Sequence, residues 1–246
     1  MKILITNDDG YKAKGIRVLA DIMKKFGEVI VIAPSEVQSG MSIAVSLGGK
    51  QLVYTDLGDG WGHLNGTPAT CVKFAIDKTG LGIRPDIVIS GINHGSNAAT
   101  AACYSGTLGA AAEAAVNGIP SIGVSMDTFN PDADFSIIEK VFPDIFSRLM
   151  EAKPSERRVY YNVNFPDSST IKGIRAAHMG IGYWDLEFVP DETGKGYKLK
   201  GEFVEEKSAN DDISDHRLVE KGYVSIVPHL LDNTDYDEMR RLSTLF

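Results

Sequence analysis

Short runs of consecutive apolar residues alternate with longer amphipathic stretches over the first two thirds of the chain. Lys2 to Thr6, Val29 to Ala33, Asp86 to Ser90, Ser121 to Ser125 and Val159 to Val163 have continuous apolar centres, the pattern of strands buried on both faces. Gln51 to Thr55 adds a further strand. Between them, Arg17 to Phe26 places Val18, Leu19, Ile22, Met23 and Phe26 at helical spacing, with Gly27 where a left-handed stop is expected. Thr67-Pro68 reads as an N-cap and a first-turn proline opening a helix through Lys78. Thr107 to Asn117 is an Ala-rich helix ended by Gly118, and Phe135 to Met150 is a helix in which Pro143 predicts a kink. Strands alternating with helices predict βαβ units around a mostly parallel sheet.

From about Gly173 the pattern changes. The segment Gly182 to Asp215 is polar and acidic, with Glu187 to Val189 and Tyr197 to Val204 as arms of a hairpin around residues 192–196. Its apolar content is too low for a domain of its own, which makes it a projecting flap or an arm that packs on another subunit. Gly222 to Pro228 returns to the buried-strand pattern, and Asp235 to Leu245 forms a terminal helix. The expected organisation is one domain over 1–246, with a core of about 1–172 plus 219–231 and an extension of about 173–218 plus a C-terminal helix, 232–246.

Charge narrows the partners. The chain holds 25 Lys and Arg against 33 Asp and Glu, a formal net charge of −8, which argues against binding a nucleic-acid duplex and leaves a small phosphorylated ligand open. No apolar run approaches the roughly 18 residues of a membrane span, and MKILITNDDG does not read as a secretory signal, so a cytoplasmic location and no membrane partner are expected. The two cysteines, Cys71 and Cys103, lack metal-ligand spacing and read as small buried hydrophobes.

Chemistry concentrates where strands end. In open parallel sheets ligands bind outside the carboxyl ends of the strands, near the point where strand order reverses. One strand runs into Asn7-Asp8-Asp9-Gly10, a second into a loop with Ser35, Ser39 and Ser42, and a third into Ser90-Gly91-Ile92-Asn93-His94-Gly95-Ser96-Asn97. Adjacent aspartates disfavour each other's ionisation unless a cation neutralises them. Two carboxylates with hydroxyl or amide oxygens and water make the all-oxygen shell of Mg²⁺ or Mn²⁺. The plainer alternative is a turn at Asp9-Gly10 with Asp8 capping the next helix. Ser105-Gly106-Thr107 opens the Ala-rich helix, whose N-terminal amides are a ready anion site or simply a capped end. Of five histidines, only His94 lies in this cluster, as a proton donor or a surface-loop residue without a role.

These residues carry a resemblance. ILITNDDG followed by Gly15, AP with Ser39-Gly40-x-Ser42, Gly66-Thr67-Pro68-Ala69, SGIN-x-G-x-N from Ser90 to Asn97, YSGT from Tyr104 with Ala110-Ala111-Ala112-Glu113 behind it, NVNFP from Asn162 and GYVSIVP from Gly222 occur in one order along the chain. Together they resemble the survival protein SurE family of stationary-phase 5′/3′-nucleotidases. The resemblance implies an α/β, Rossmann-like sheet with helices on both faces and a C-terminal hairpin and helix extension exchanged between subunits, in a homodimer or a dimer of dimers. It implies one divalent cation per subunit on Asp8, Asp9, Ser39 and Asn93, and a phosphate pocket at Asn97, Ser105, Gly106 and Thr107. The substrates it implies are nucleoside monophosphates, with short polyphosphate taken by some members. Two departures stand out: Ala98 to Cys103 lacks an Asp common in the family, and Thr70 stands where GTPAD is usual.

The expected reaction is phosphomonoester hydrolysis by a metal-activated water, with Asp8 anchoring the metal and Asp9 both ligating it and accepting the water's proton. A phospho-aspartate on Asp8 or Asp9 is the enzymatic variant. The alternatives from other classes are a non-catalytic nucleotide or phosphate sensor and a purely structural oligomer.

Overall fold

The computed structural model describes residues 1–49, 51–152, 158–206 and 212–246. Its strands are β1 (Lys2–Thr6), β2 (Glu28–Pro34), β3 (Tyr54–Gly58), β4 (Trp61–Leu64), β5 (Ile87–His94), β6 (Ser121–Met126), β7 (Val159–Phe165), β8 (Ile174–Ala176), β9 (Gly182–Asp185), β10 (Phe188–Pro190), β11 (Tyr197–Leu199), β12 (Glu202–Glu205) and β13 (Val224–Leu230). The helices are α1 (Lys14–Met23), α2 (Pro68–Ile76), α3 (Gly106–Val116), α4 (Ser136–Glu151), α5 (Asp215–Glu220) and α6 (Tyr236–Leu242), with a 3₁₀ turn over Ala99–Cys103. No helix among the described residues is long and apolar enough to cross a membrane.

One sheet runs in the order β3-β4-β2-β1-β5-β6-β7-β13-β8. From β4 to β7 every neighbouring pair is parallel, while β3 on β4 and β13 on β7 are antiparallel. The chain leaves β1 toward β2 on one side and returns as β5 on the other, so strand order reverses at the β1/β5 junction. That junction is where the crevice of such a sheet opens.

Helices cover both faces because the central strands are apolar in both directions. Ile3, Ile5, Val31 and Ile89 pack with Ile16, Leu19 and Met23 of α1 and Phe142 and Phe146 of α4. On the other face Leu4, Ile32 and Val88 meet Val72 and Ala75 of α2 and Ala110 and Ala114 of α3. Each such fully buried Leu, Ile or Phe contributes roughly 1.5–3 kcal/mol of transfer free energy. The alanines of α3 let it lie close: it is buried from Gly106 to Ala115.

Several expectations shift by a few residues for identifiable reasons. The segment at Gln51 to Thr55 is a strand only from Tyr54, and it pairs with β4, whose WGHL sequence carries too little apolar signal to read as a strand. Gly27 is not left-handed; a Cβ there would sit 2.0 Å from the Met1 carbonyl oxygen, so close approach of the backbone is what demands glycine. α4 passes through Pro143 as one helix. Cys71 is buried as expected, but Cys103 is exposed, because the 3₁₀ turn it closes lies on the surface.

The extension forms a ribbon. β10 pairs with β11 and β9 with β12, both antiparallel, giving two short ladders along one projecting hairpin. The expected arms Glu187 to Val189 and Tyr197 to Val204 fall within it, the second being split between β11 and β12. Its root is drawn together by a bridge between His178 and Ser214.

Candidate functional site

Three carboxylates are buried in the described residues, and their compensation differs. Glu113 on α3 is paired with Lys73 at 2.9 Å and takes a further hydrogen bond from Asn117. Asp215 accepts the backbone amides of Ala99, Gly180 and His216 at 2.8–3.0 Å. Asp8, at the end of β1, has no cationic side chain beside it among the described residues. Its Oδ1 takes the Thr107 hydroxyl at 2.5 Å. Burial pushes the Asp8 carboxyl up to about 6; the Thr107 hydrogen bond opposes the shift and the charge of Asp9 adds to it. An ionised group desolvated without a counter-charge is costly to keep, and such groups mark functional sites.

The turn at Asp9-Gly10 and the chemistry coexist. Asn7 Nδ2 donates to the Gly10 carbonyl at 3.0 Å, closing the turn. Asp8 does not cap α1: the capping position is Ala13, without a side-chain bond, which leaves the Asp8 carboxylate free of that structural duty. Asp9 is anchored through one oxygen only. Oδ2 accepts the His94 backbone amide at 3.3 Å and faces His94 Nδ1 at 3.2 Å, so Oδ1 is the end available to a ligand.

β5 carries the remaining residues to the same junction. The ladder with β1 ends at Thr6 opposite Ser90, and the strand then continues to His94. Asn93 directs its Nδ2 to the Gly95 carbonyl at 2.8 Å, which leaves its side-chain oxygen as the end open to a ligand. Ser39 lies in the loop after β2, where the neighbouring Gln38 amide donates to the Asp8 carbonyl at 2.7 Å. The Ser39 residue itself is exposed. Asp8, Asp9, Asn93 and the Ser39 loop are thus gathered at the switch point.

The N-terminus of α3 closes this centre. Ser105 caps the helix, accepting the Leu108 amide at 3.0 Å. Gly106 sits directly against Asp8: a Cβ there would come within 2.9 Å of Asp8 Cβ and 3.0 Å of Asp8 Oδ2. Thr107 is fully buried and spends its hydroxyl on Asp8. Of the first-turn amides, that of Leu108 is taken by Ser105 and that of Thr107 is turned to Asp8, which leaves the Gly106 amide and the positive end of the helix dipole facing this centre. Asn97 is held in a buried polar network, donating to Ser125 Oγ from Nδ2 and to Asn164 Oδ1 from its backbone amide, both at 2.8 Å.

The donors suit a hard divalent cation. All are oxygens, Gly106 leaves room that a side chain would fill, and Asn7 Oδ1 is buried without a partner among the described residues. No group of three or more His, Cys, Asp or Glu able to hold a metal occurs among the described residues. Two roles were missed in the sequence. His94 orients Asp9, and its ring is packed edge-on against Phe135 at 5.2 Å. The Asn162-x-Asn164 pair on β7 secures the loop carrying Asn97, with Asn162 Nδ2 donating to the Asn97 carbonyl at 2.9 Å. Asparagines alternating within an otherwise buried strand are the signal that points to such a network.

A two-faced, mostly parallel sheet with an uncompensated carboxylate at its switch point, facing a glycine-opened helix N-terminus, defines a Rossmann-like α/β protein with its polar centre at the carboxyl edge. Residues 3–186 match the model of the family described as survival protein SurE, and the chain belongs to that family. It is 38% identical to proteins named 5′-nucleotidase SurE from Christiangramia forsetii and from Cytophaga hutchinsonii, in each case across 98% of this chain and 95% of the relative. The crystal structure of the SurE protein from Aquifex aeolicus superposes with a TM-score of 0.84 at 31% identity, over 100% of this chain and 99% of that one.

Proposed function

We propose that the protein hydrolyses nucleoside monophosphates to nucleoside and phosphate, as a 5′-nucleotidase. The observation that carries the reading is Asp8: a buried carboxylate, without a cationic partner among the described residues, set against the N-terminus of α3. The names of the full-length relatives support the substrate class.

Asp8, Asp9, Ser39 and Asn93 would hold one divalent cation per subunit, Mg²⁺ or Mn²⁺. Bound there, such an ion supplies charge stabilisation to the phosphoryl oxygens and a lowered pKa to water. Thr107 fixes the rotamer of Asp8, and His94 does the same for Asp9. Asp9, whose Oδ1 has no hydrogen bond among the described residues, would accept the proton of the attacking water. The N-terminus of α3 at Ser105, Gly106 and Thr107, with its positive dipole end and the Gly106 amide, would receive the phosphate, and Asn97 holds the neighbouring loop in place. The Thr107 hydroxyl donates to Asp8.

The ribbon is proposed as the subunit contact, in a homodimer or a dimer of dimers. Leu186, Phe188, Tyr197 and Leu199 are each at least two-thirds exposed on it, apolar area of the kind that interfaces cover.

The test is inorganic phosphate release from a panel of nucleoside monophosphates with Mn²⁺ or Mg²⁺, beside a chelated sample and the Asp8→Asn variant. Release that disappears in both controls is the expected result. A folded, metal-loaded protein that releases no phosphate from any nucleotide or from short polyphosphate would overturn the enzymatic reading in favour of a nucleotide-binding sensor.

A further inference from the structure

The loop after β6 presents Phe129 with 83% of its surface exposed, the largest exposure of any aromatic residue ahead of the chain terminus. Exposure does not come from slackness. Thr128 is buried and its amide donates to the Met126 carbonyl at 2.8 Å, and the Ala133 amide closes a turn on Asn130 at 3.0 Å. Lys14 of α1 secures the far side of the loop, its ammonium donating to the Ala133 carbonyl at 2.7 Å.

Where the ring sits matters more than its exposure. A Cβ on Gly95 would lie 2.9 Å from Phe129 Cε1, so the ring covers the backbone of Gly95, and only glycine leaves it that position. Gly95 is the midpoint of the loop joining Asn93 to Asn97. Its amide donates to Met126 at 2.9 Å and its carbonyl accepts from Asn93 at 2.8 Å. Phe129 therefore presents an exposed apolar ring beside Gly95, at the rim of the polar centre.

We propose that Phe129 is the residue on which the nucleobase of the substrate stacks. The inference rests on the nucleotidase reading of the same site. A phosphate received at α3 leaves the nucleoside projecting outward from the carboxyl edge, where an exposed aromatic face removes the base from water. Phe has no polar atom with which to select among bases, so this subsite accepts all of them and favours purines through their larger π-face.

The experiment compares kcat/KM of the Mn²⁺-loaded enzyme and its Phe129→Ala variant on AMP, CMP and base-free ribose 5-phosphate. Calorimetric titration with adenosine gives a readout independent of turnover. The variant is expected to lose about tenfold on AMP, less on CMP and under twofold on ribose 5-phosphate, with adenosine affinity falling in parallel and Phe129→Trp retaining both. Equal losses on AMP and ribose 5-phosphate, no loss on either, or the base-selective loss appearing in Tyr104→Ala instead would overturn the assignment. Wild-type protein that releases no phosphate from any nucleotide defeats the reading of the site itself, an outcome distinct from an active enzyme indifferent to Phe129.

Discussion

The carboxyl edge of the sheet and the projecting ribbon depart from ordinary protein surfaces in opposite senses. At the edge, polar groups are buried: Asp8, Asn93, Asn97 and Thr107 are each less than a tenth exposed. On the ribbon, apolar groups are exposed, with Leu186 at 77% and Tyr197 at 74%. A folded chain normally pays for neither arrangement, since buried charge wants a partner and exposed apolar surface wants cover. The edge thus suits a small charged ligand, and the ribbon is the surface proposed above as the subunit contact. The lesson is that the kind of anomaly, and not only its presence, indicates the chemistry of what is absent.

Four changes test this contrast, beginning with the largest effect. Asp8→Asn removes the buried charge but keeps the shape. Phosphate release should fall by at least about a thousandfold, while the metal-free melting temperature at pH 7 stays level or rises. A clear drop in that melting temperature would mean that Asp8 serves the fold instead. Gly106→Ala places a methyl within 3.1 Å of the Gln38 carbonyl and against Asp8. It should destabilise by about 1–3 kcal/mol in urea unfolding, together with a loss of Mn²⁺ affinity.

The third prediction concerns pH. Because the folded-state pKa of Asp8 is raised to about 6 in the metal-free protein, Asp8 binds a proton more readily folded than unfolded. Its contribution to metal-free stability is therefore greatest below the unfolded value and is lost as pH rises through about 6. A cation requires the ionised form, so Mn²⁺ affinity by titration calorimetry should weaken by up to about tenfold per pH unit below 6. Affinity flat from pH 7 to 5 would count against Asp8 as a ligand. The smallest effect on stability is expected from Leu186→Asp with Phe188→Asp on the ribbon. Unfolding free energy should change by no more than about 0.5 kcal/mol, while light scattering shows a smaller assembly than that of the wild type. An unchanged assembly size would remove the ribbon from the interface.

Much of this was legible in the chain because the central strands announce themselves. ILI, VIVI and IVI are short, β-branched-rich runs apolar on consecutive positions, the pattern of strands in a sheet covered on both faces, and β1, β2 and β5 lie where it places them. WGHL of β4, IRA of β8 and DHRLVE of α5 were missed, since each is short and takes its structure from neighbours more than from its own periodicity. In the site, the strand-end carboxylates were visible as sequence, as was the cap at Ser105. The link from His94 to Asp9 was not, because it depends on β1 and β5 lying side by side although their residues are far apart in the chain. The same holds for Gly106, whose need for glycine arises from Asp8 pressed against it.

The ribbon's root has one more consequence. His178 bridges Ser214, and the Gly180 amide reaches the Asp215 carboxylate at 2.9 Å, so the chain leaves the body and re-enters it at nearly one point. An appendage whose two ends meet can be exchanged without redrawing what it hangs from. The segment is in that sense a cassette: a short loop spliced from Gly180 to Ser214 would let the catalytic body be studied alone, and a different hairpin grafted there would give it a different neighbour.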